Sequence, residues 1–156
     1  MVFVVQGNNS IMVIMKTFPK LWAARLLIAV VTLMNLQAAF QFMLQPERFA
    51  PGFEMNGTTG TAMTQGMGLL FLMWNIPYLF ALIHPIRNFV SLVEAVIMQF
   101  IGVGGESLSY LKLTGEHPLL RSSVERFILF DGAGLILLLA ALCITVRIRR
   151  MQGLNG

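Results

Sequence analysis

Four stretches of this chain are each about as long as a bilayer crossing and nearly free of charge. They run from Leu26 to Leu44, Gly66 to Ile83, Phe89 to Gly105 and Phe127 to Val146, and only Glu94 and Asp131 place a formal charge inside them. The hydrocarbon layer of a membrane is about 30 Å thick, and it holds no water to satisfy backbone N–H and C=O groups. An apolar run can satisfy those groups there by closing its own helical hydrogen bonds. The expected fold is therefore all-α: an integral membrane four-helix bundle over residues 21–150, with N- and C-termini cytoplasmic. Composition agrees, since 56% of the 156 residues are hydrophobic and 12% are charged, against about 25% charged in soluble domains.

Turn formers separate the runs. Pro46, Pro51, Gly52, Gly57 and Gly60 mark the first long connection as a loop with room for a short interfacial helix. His84 to Asn88 reads as a tight turn, and Gly115 and Pro118 break the second long connection. Pro77 lies inside the second run and predicts a kink near Met73, whose carbonyl loses its partner. Residues 1–20 show no helical period and contain Gly7, Asn8 and Asn9, so they read as a tail. Met15-Lys16-Thr17 resembles an ordinary start, which makes 1–14 an expected loose or non-native leader; residues 151–156 form the other tail.

Orientation follows from the bases, which favour the cytoplasmic side. With the N-terminus inside, Lys16, Lys20, Arg25, Arg87, Arg147, Arg149 and Arg150 fall inside, and Arg48, Lys112, Arg121 and Arg126 fall outside. The net charge of +4 thus reads as topology and contact with anionic lipid headgroups. No stripe of aromatic and basic residues suggests nucleic acid. Cys143 is the single cysteine and cannot form an intrachain disulfide. His84 and His117 fall on opposite sides, so they cannot share a metal, and neither lies within a run to serve a haem. No Ser-His-Asp arrangement or phosphate loop is present, so no catalytic residue is assigned.

Polar side chains at membrane depth are costly and usually face the bundle interior. Gln37, Gln41 and Gln45 share one face of the first helix at i, i+4 and i+8. Gln99, Gly102 and Glu106 do the same in the third, and Asp131 lies at similar depth in the fourth, followed by Gly132 and Gly134. Gln37, Gln41, Gln99, Glu106 and Asp131 are therefore expected to meet in a polar, ligand-binding cavity of the outer half, with Arg48, Arg121 or Arg126 as counter-charges. The alternative is interhelical hydrogen-bond glue worth about 0.6–2 kcal/mol per contact. A second candidate cluster opens inward and combines Asn75, Tyr78, Arg87 and Glu94. Its alternative is a carboxylate favoured by the helix N-terminus and snorkelling to Arg87 or Arg25.

A Pro-Glu-x-Phe segment (Pro46, Glu47, Phe49) follows the first run, and Gln65-Gly66-Met67-Gly68 opens the second. Gly105-Glu106-Ser107 closes the third run, and Glu125-Arg126-Phe127 opens the last. In this order of features the chain resembles the DoxX-like group of small four-helix bacterial membrane proteins over about residues 20–150. The resemblance implies the fold and a bacterial inner membrane, and in some members an association with quinone-linked oxidation; it assigns no catalytic residue. The expected function is an accessory or scaffold subunit of a membrane complex with no catalysis of its own. Its partners would be the bilayer and other membrane subunits or further copies of the chain. The alternatives are a quinone- or lipid-binding redox helper, with quinone at the outer cavity, and an oligomeric transporter or channel. The last ranks lowest because no inverted repeat is visible between residues 21–84 and 88–147.

Overall fold

The computed structural model describes the backbone of residues 5–153 and the side chains of residues 17–153. Residues 1–4 and 154–156, which belong to the two expected tails, lie outside the described residues. The chain forms α1 (Val5–Leu44), α2 (Pro46–Phe49), a single 3₁₀ turn (Ala50–Phe53), α3 (Gly57–Ile83), α4 (Phe89–Lys112) and α5 (Pro118–Met151). No strand occurs among the described residues.

The segments Thr17–Leu44, Gly57–Ile83, Phe89–Lys112 and Pro118–Met151 are long and apolar enough to cross a membrane, with stretches of mean hydropathy from 1.5 to 2.5. The protein is a multi-pass membrane protein. Even α4, with 24 residues, exceeds the hydrocarbon layer at about 1.5 Å of rise per residue.

Every long helix outruns its expected span. α1 is helical from Val5 and passes through Pro19, where a non-helical tail is expected from the sequence. α3 begins at Gly57, inside the expected loop. The physical reason is propagation: once an apolar run nucleates a helix, each added residue gains a hydrogen bond at little further cost. In the threonine-rich start of α3, the hydroxyls of Thr61 and Thr64 bond back to the carbonyls of Gly57 and Gly60 at 3.2 and 2.9 Å. α3 also continues as helix through Pro77.

The four long helices pack as a square. α1 lies against α3 and α5, and α4 lies against α3 and α5; across the α3–α5 diagonal long side chains meet, as Phe71 and Phe127 do with ring centroids 6.2 Å apart. Ala24, Ile28 and Val31 of α1 meet Tyr78 and Ala81 of α3, Leu92 and Ala95 of α4, and Leu138 and Ala141 of α5 in one buried cluster. Small residues at these positions let helices approach closely where lipid supplies no hydrophobic drive. Leu33, Phe100, Ile101, Leu129 and Ile136 are exposed and form part of the apolar outer surface.

The two ends of the bundle are secured differently. At the turn end, Arg25 Nε donates to the Leu82 carbonyl at 3.1 Å, and Arg149 Nη1 donates to the Ile86 carbonyl at 2.9 Å while lying over the Phe89 ring. At the loop end, the first connection reaches across to the second. Glu54, in the left-handed region with φ 56°, places Oε2 2.6 Å from His117 Nδ1. Its Oε1 accepts from the backbone N–H groups of Leu119 and Leu120 at 3.2 and 3.3 Å. These donors belong to the first turn of α5, whose own N-cap residue, His117, supplies no capping side chain. Glu54 therefore caps a helix from 65 residues away.

Candidate functional site

The bundle interior holds one connected set of polar side chains, and each of the four long helices contributes. The Tyr78 hydroxyl donates to Gln99 Oε1 at 2.6 Å and lies 3.2 Å from the Ala95 carbonyl oxygen. Gln99 Nε2 donates to Asp131 Oδ1 at 2.9 Å and reaches the Asp131 backbone carbonyl at 3.2 Å. Asn35 of α1 approaches Tyr78 from the other side. The carboxyl groups of Glu106 and Asp131 are within hydrogen-bonding reach of each other. A hydrogen bond between two carboxyl groups needs a proton on one of them. Glu106 Oε2 is buried with no hydrogen-bond partner among the described residues.

The seam between α4 and α5 is shaped for this pairing. A Cβ on Gly102 would fall 2.5 Å from Asp131 Oδ2, and one on Gly134 would fall 2.7 Å from Gln99 Nε2. Each polar side chain thus occupies space that a glycine of the opposite helix leaves open.

Beside the network lies a small chamber lined by Asn35, Asn75, Tyr78, Gln99 and Asp131 together with apolar side chains. Its volume is about 20 Å³, enough for one water. Asn75 Nδ2 donates to the Phe71 carbonyl at 2.7 Å, while its Oδ1 is buried without a protein partner. The chamber as it stands is too small for a quinone ring.

A larger groove of about 470 Å³ adjoins it toward the loop end, between α1, α2, the 3₁₀ turn and α5. Ala38 and Phe130 line both spaces. The wall of the groove is aromatic. Phe42 sits with its ring centroid 5.1 Å from Phe49, 5.8 Å from Phe53 and 6.1 Å from Phe127, and Phe53 stacks on Phe127. The polar lining comprises Gln41, Arg48, Ser123 and Arg126. Arg48 reaches Gln45 Oε1 at 3.4 Å, and Arg126 is held by Ser123 Oγ at 3.0 Å and the Ser122 carbonyl at 3.3 Å. Neither guanidinium has a carboxylate partner among the described residues, whose one ion pair is Glu54 with His117.

The structure brings Gln99, Glu106 and Asp131 together. Gln41 lines the groove instead, and Gln37 is exposed and lines neither space. The expected counter-charges do not reach Asp131: Arg121 donates to the Leu113 carbonyl and the Tyr110 hydroxyl, and Arg126 to the two serines. The inward cluster does not assemble. Tyr78 joins the central network and Asn75 lines the chamber beside it, whereas Arg87 and Glu94 are exposed. The cause is the lean of helical side chains toward the N-terminus. In α3 that direction is the loop end, so Tyr78 reaches up to Gln99. Asn35 is missing from the sequence-based set; its position as an amide deep in the first apolar run was the available signal. No group of three His, Cys, Asp or Glu side chains gathers to hold a metal among the described residues.

No family model, curated protein or solved structure matches this chain.

Proposed function

We propose that this protein is a ligand-binding accessory component of a bacterial inner membrane, taking a lipophilic molecule with a polar head into the groove at its loop end. The observation that carries this reading is the groove itself: an aromatic wall beside two unpaired guanidiniums, adjoining a buried network fed by all four helices. Phenylalanine rings suit a chain or ring. Gln41, Ser123 and the arginines suit a head that accepts hydrogen bonds.

The groove, rather than the Gln99–Asp131 chamber, is the place for a quinone or lipid head on grounds of volume. The network behind it supports the groove by fixing α4 on α5. The distribution of lysine and arginine supports both termini in the cytoplasm and the groove facing the outer leaflet. A DoxX-like kinship fits the order of helices and loops.

The experiment is extraction of the protein in mild detergent, followed by mass analysis of an organic extract. The expected result is a stoichiometric lipid or quinone that disappears in Gln41→Trp, where the indole occupies the groove. A pure chain that carries nothing under the gentlest extraction, yet co-migrates with another membrane protein, would replace this reading with that of a scaffold subunit.

A further inference from the structure

We infer that the groove selects an anionic amphiphile, with the carboxylate or phosphate of its head on Arg48 and Arg126 and its acyl chain along Phe42, Phe53 and Phe127. This deepens the binding reading above and rests on it. The argument is one of charge. Both guanidiniums line one space of about 470 Å³; their hydrogen bonds are to neutral oxygens of Gln45, Ser122 and Ser123, and Arg48 also lies 5.8 Å from the centroid of the Phe49 ring. The acids adjacent in sequence, Glu47 and Glu125, are exposed and make no ion pair with either. A site built for a neutral head would have no use for two cations on one lining; paired to their own carboxylates, they would be structural.

Arginine presents a planar fork of donors that matches a carboxylate or phosphate with two parallel hydrogen bonds. Arg126 is already oriented by Ser123, whose hydroxyl donates to the Gly52 carbonyl at 2.6 Å. The 3₁₀ turn is thereby tied to α5 at the groove's rim. Gly52 leaves that rim open: a Cβ there would meet Ser123 Oγ at 3.1 Å and approach Arg126 Nη2 at 4.0 Å. The same head chemistry belongs to free fatty acids and to the anionic phospholipids of the bilayer.

The test uses the full chain in nanodiscs of phosphatidylcholine, with energy transfer from its tryptophans to pyrene-labelled probes. The probes are a fatty acid, the fatty alcohol of equal length, and phosphatidylglycerol, with inorganic phosphate as competitor. The expected result is saturable binding of an anionic probe, with the alcohol weaker by roughly tenfold or more. The Arg48→Gln, Arg126→Gln double variant should bring the anion down to the level of the alcohol, and Gln41→Trp should weaken both. Preference for the fatty acid would name a free acid as the occupant, and preference for phosphatidylglycerol would name a bilayer lipid; either supports the inference. Equal binding of acid and alcohol, unchanged in the double variant, would overturn it and leave the lipophilic-ligand reading intact. Displacement of the acid by inorganic phosphate alone would also overturn it, as a chain-independent anion site. Failure of every probe, alcohol included, would overturn the underlying reading as well.

Discussion

Gln99 reaches Asp131 twice, at the side-chain Oδ1 and at the backbone carbonyl, and each of the two side chains lies against a glycine of the other's helix. The contact is therefore one of shape as well as hydrogen bonding. It joins α4 to α5 at the depth where Tyr78 joins α3 to α4.

Tyr78→Phe and Gln99→Leu test the network. The first removes one donor, and the expected loss is about 1 kcal/mol, within the range of interhelical hydrogen bonds in bilayers. The second leaves Asp131 without its amide donor and the Tyr78 hydroxyl with the longer contact to the Ala95 carbonyl, so its loss should be larger, by about 1–3 kcal/mol for a buried group left unsatisfied. Reversible unfolding in mixed detergent micelles measures both. Equal and negligible effects would mean that water or lipid replaces these contacts freely.

Gly102→Ala and Gly134→Ala should each destabilise the fold by about 1–3 kcal/mol through overpacking, because the added methyl collides with Asp131 or Gln99. Gly104→Ala and Gly132→Ala, on the same helices, meet nothing within 4 Å and should be close to neutral. The same unfolding assay separates the pairs. If all four behaved alike, the seam would not be as tight as described.

Glu54→Gln should weaken the loop end, and the effect should depend on pH. The hydrogen bond from His117 holds the Glu54 carboxyl below its ordinary value of 4.5, with the backbone N–H groups of Leu120 and Leu119 acting in the same direction against partial desolvation. A depressed folded value means that the stabilisation is fully present above the ordinary carboxylate range. It is lost as pH falls through the lowered value. The gap in unfolding midpoint between the native chain and Glu54→Gln should therefore be widest near neutrality and close in acid. A gap that widened in acid would contradict the geometry.

Labelling tests the crossing pattern. In a Cys143→Ser background, cysteines placed at Glu116 and at Gln152 lie at opposite ends of α5. A membrane-impermeant thiol reagent should modify Glu116→Cys in intact cells and Gln152→Cys only after the membrane is opened. The reverse pattern would invert the orientation drawn from the lysines and arginines.

The existence of four spans was legible because charge-free runs of that length have few other fates. Their full extent was not, since helices continue past the apolar core into residues such as Thr58 to Gln65, whose composition reads as loop. Which face of each helix turns inward was legible only in part. In a soluble helix the apolar side marks the core, but lipid is as apolar as a core, so Leu33 on the outside and Ile28 on the inside look alike. Polar residues break this symmetry: Gln99 and Asp131 do meet, whereas Glu94 of the same α4 is exposed. In α1 the conspicuous Gln37–Gln41–Gln45 stripe drew attention from Asn35, the amide that approaches Tyr78. Gln37 is instead exposed, a placement that spacing alone cannot foresee.

The Glu54 cap carries a consequence for assembly in the cell. The helix that needs Glu54 leaves the ribosome after the other three, while Glu54 itself emerges with the first hairpin. Until Leu119 and Leu120 arrive, the carboxylate and the 3₁₀ turn behind it have no partner across the bundle. The first two crossings can therefore insert early, but the rim of the groove can close only after α5 has docked. A chain truncated before Pro118 would keep its first crossings and lose the α5 wall of the groove.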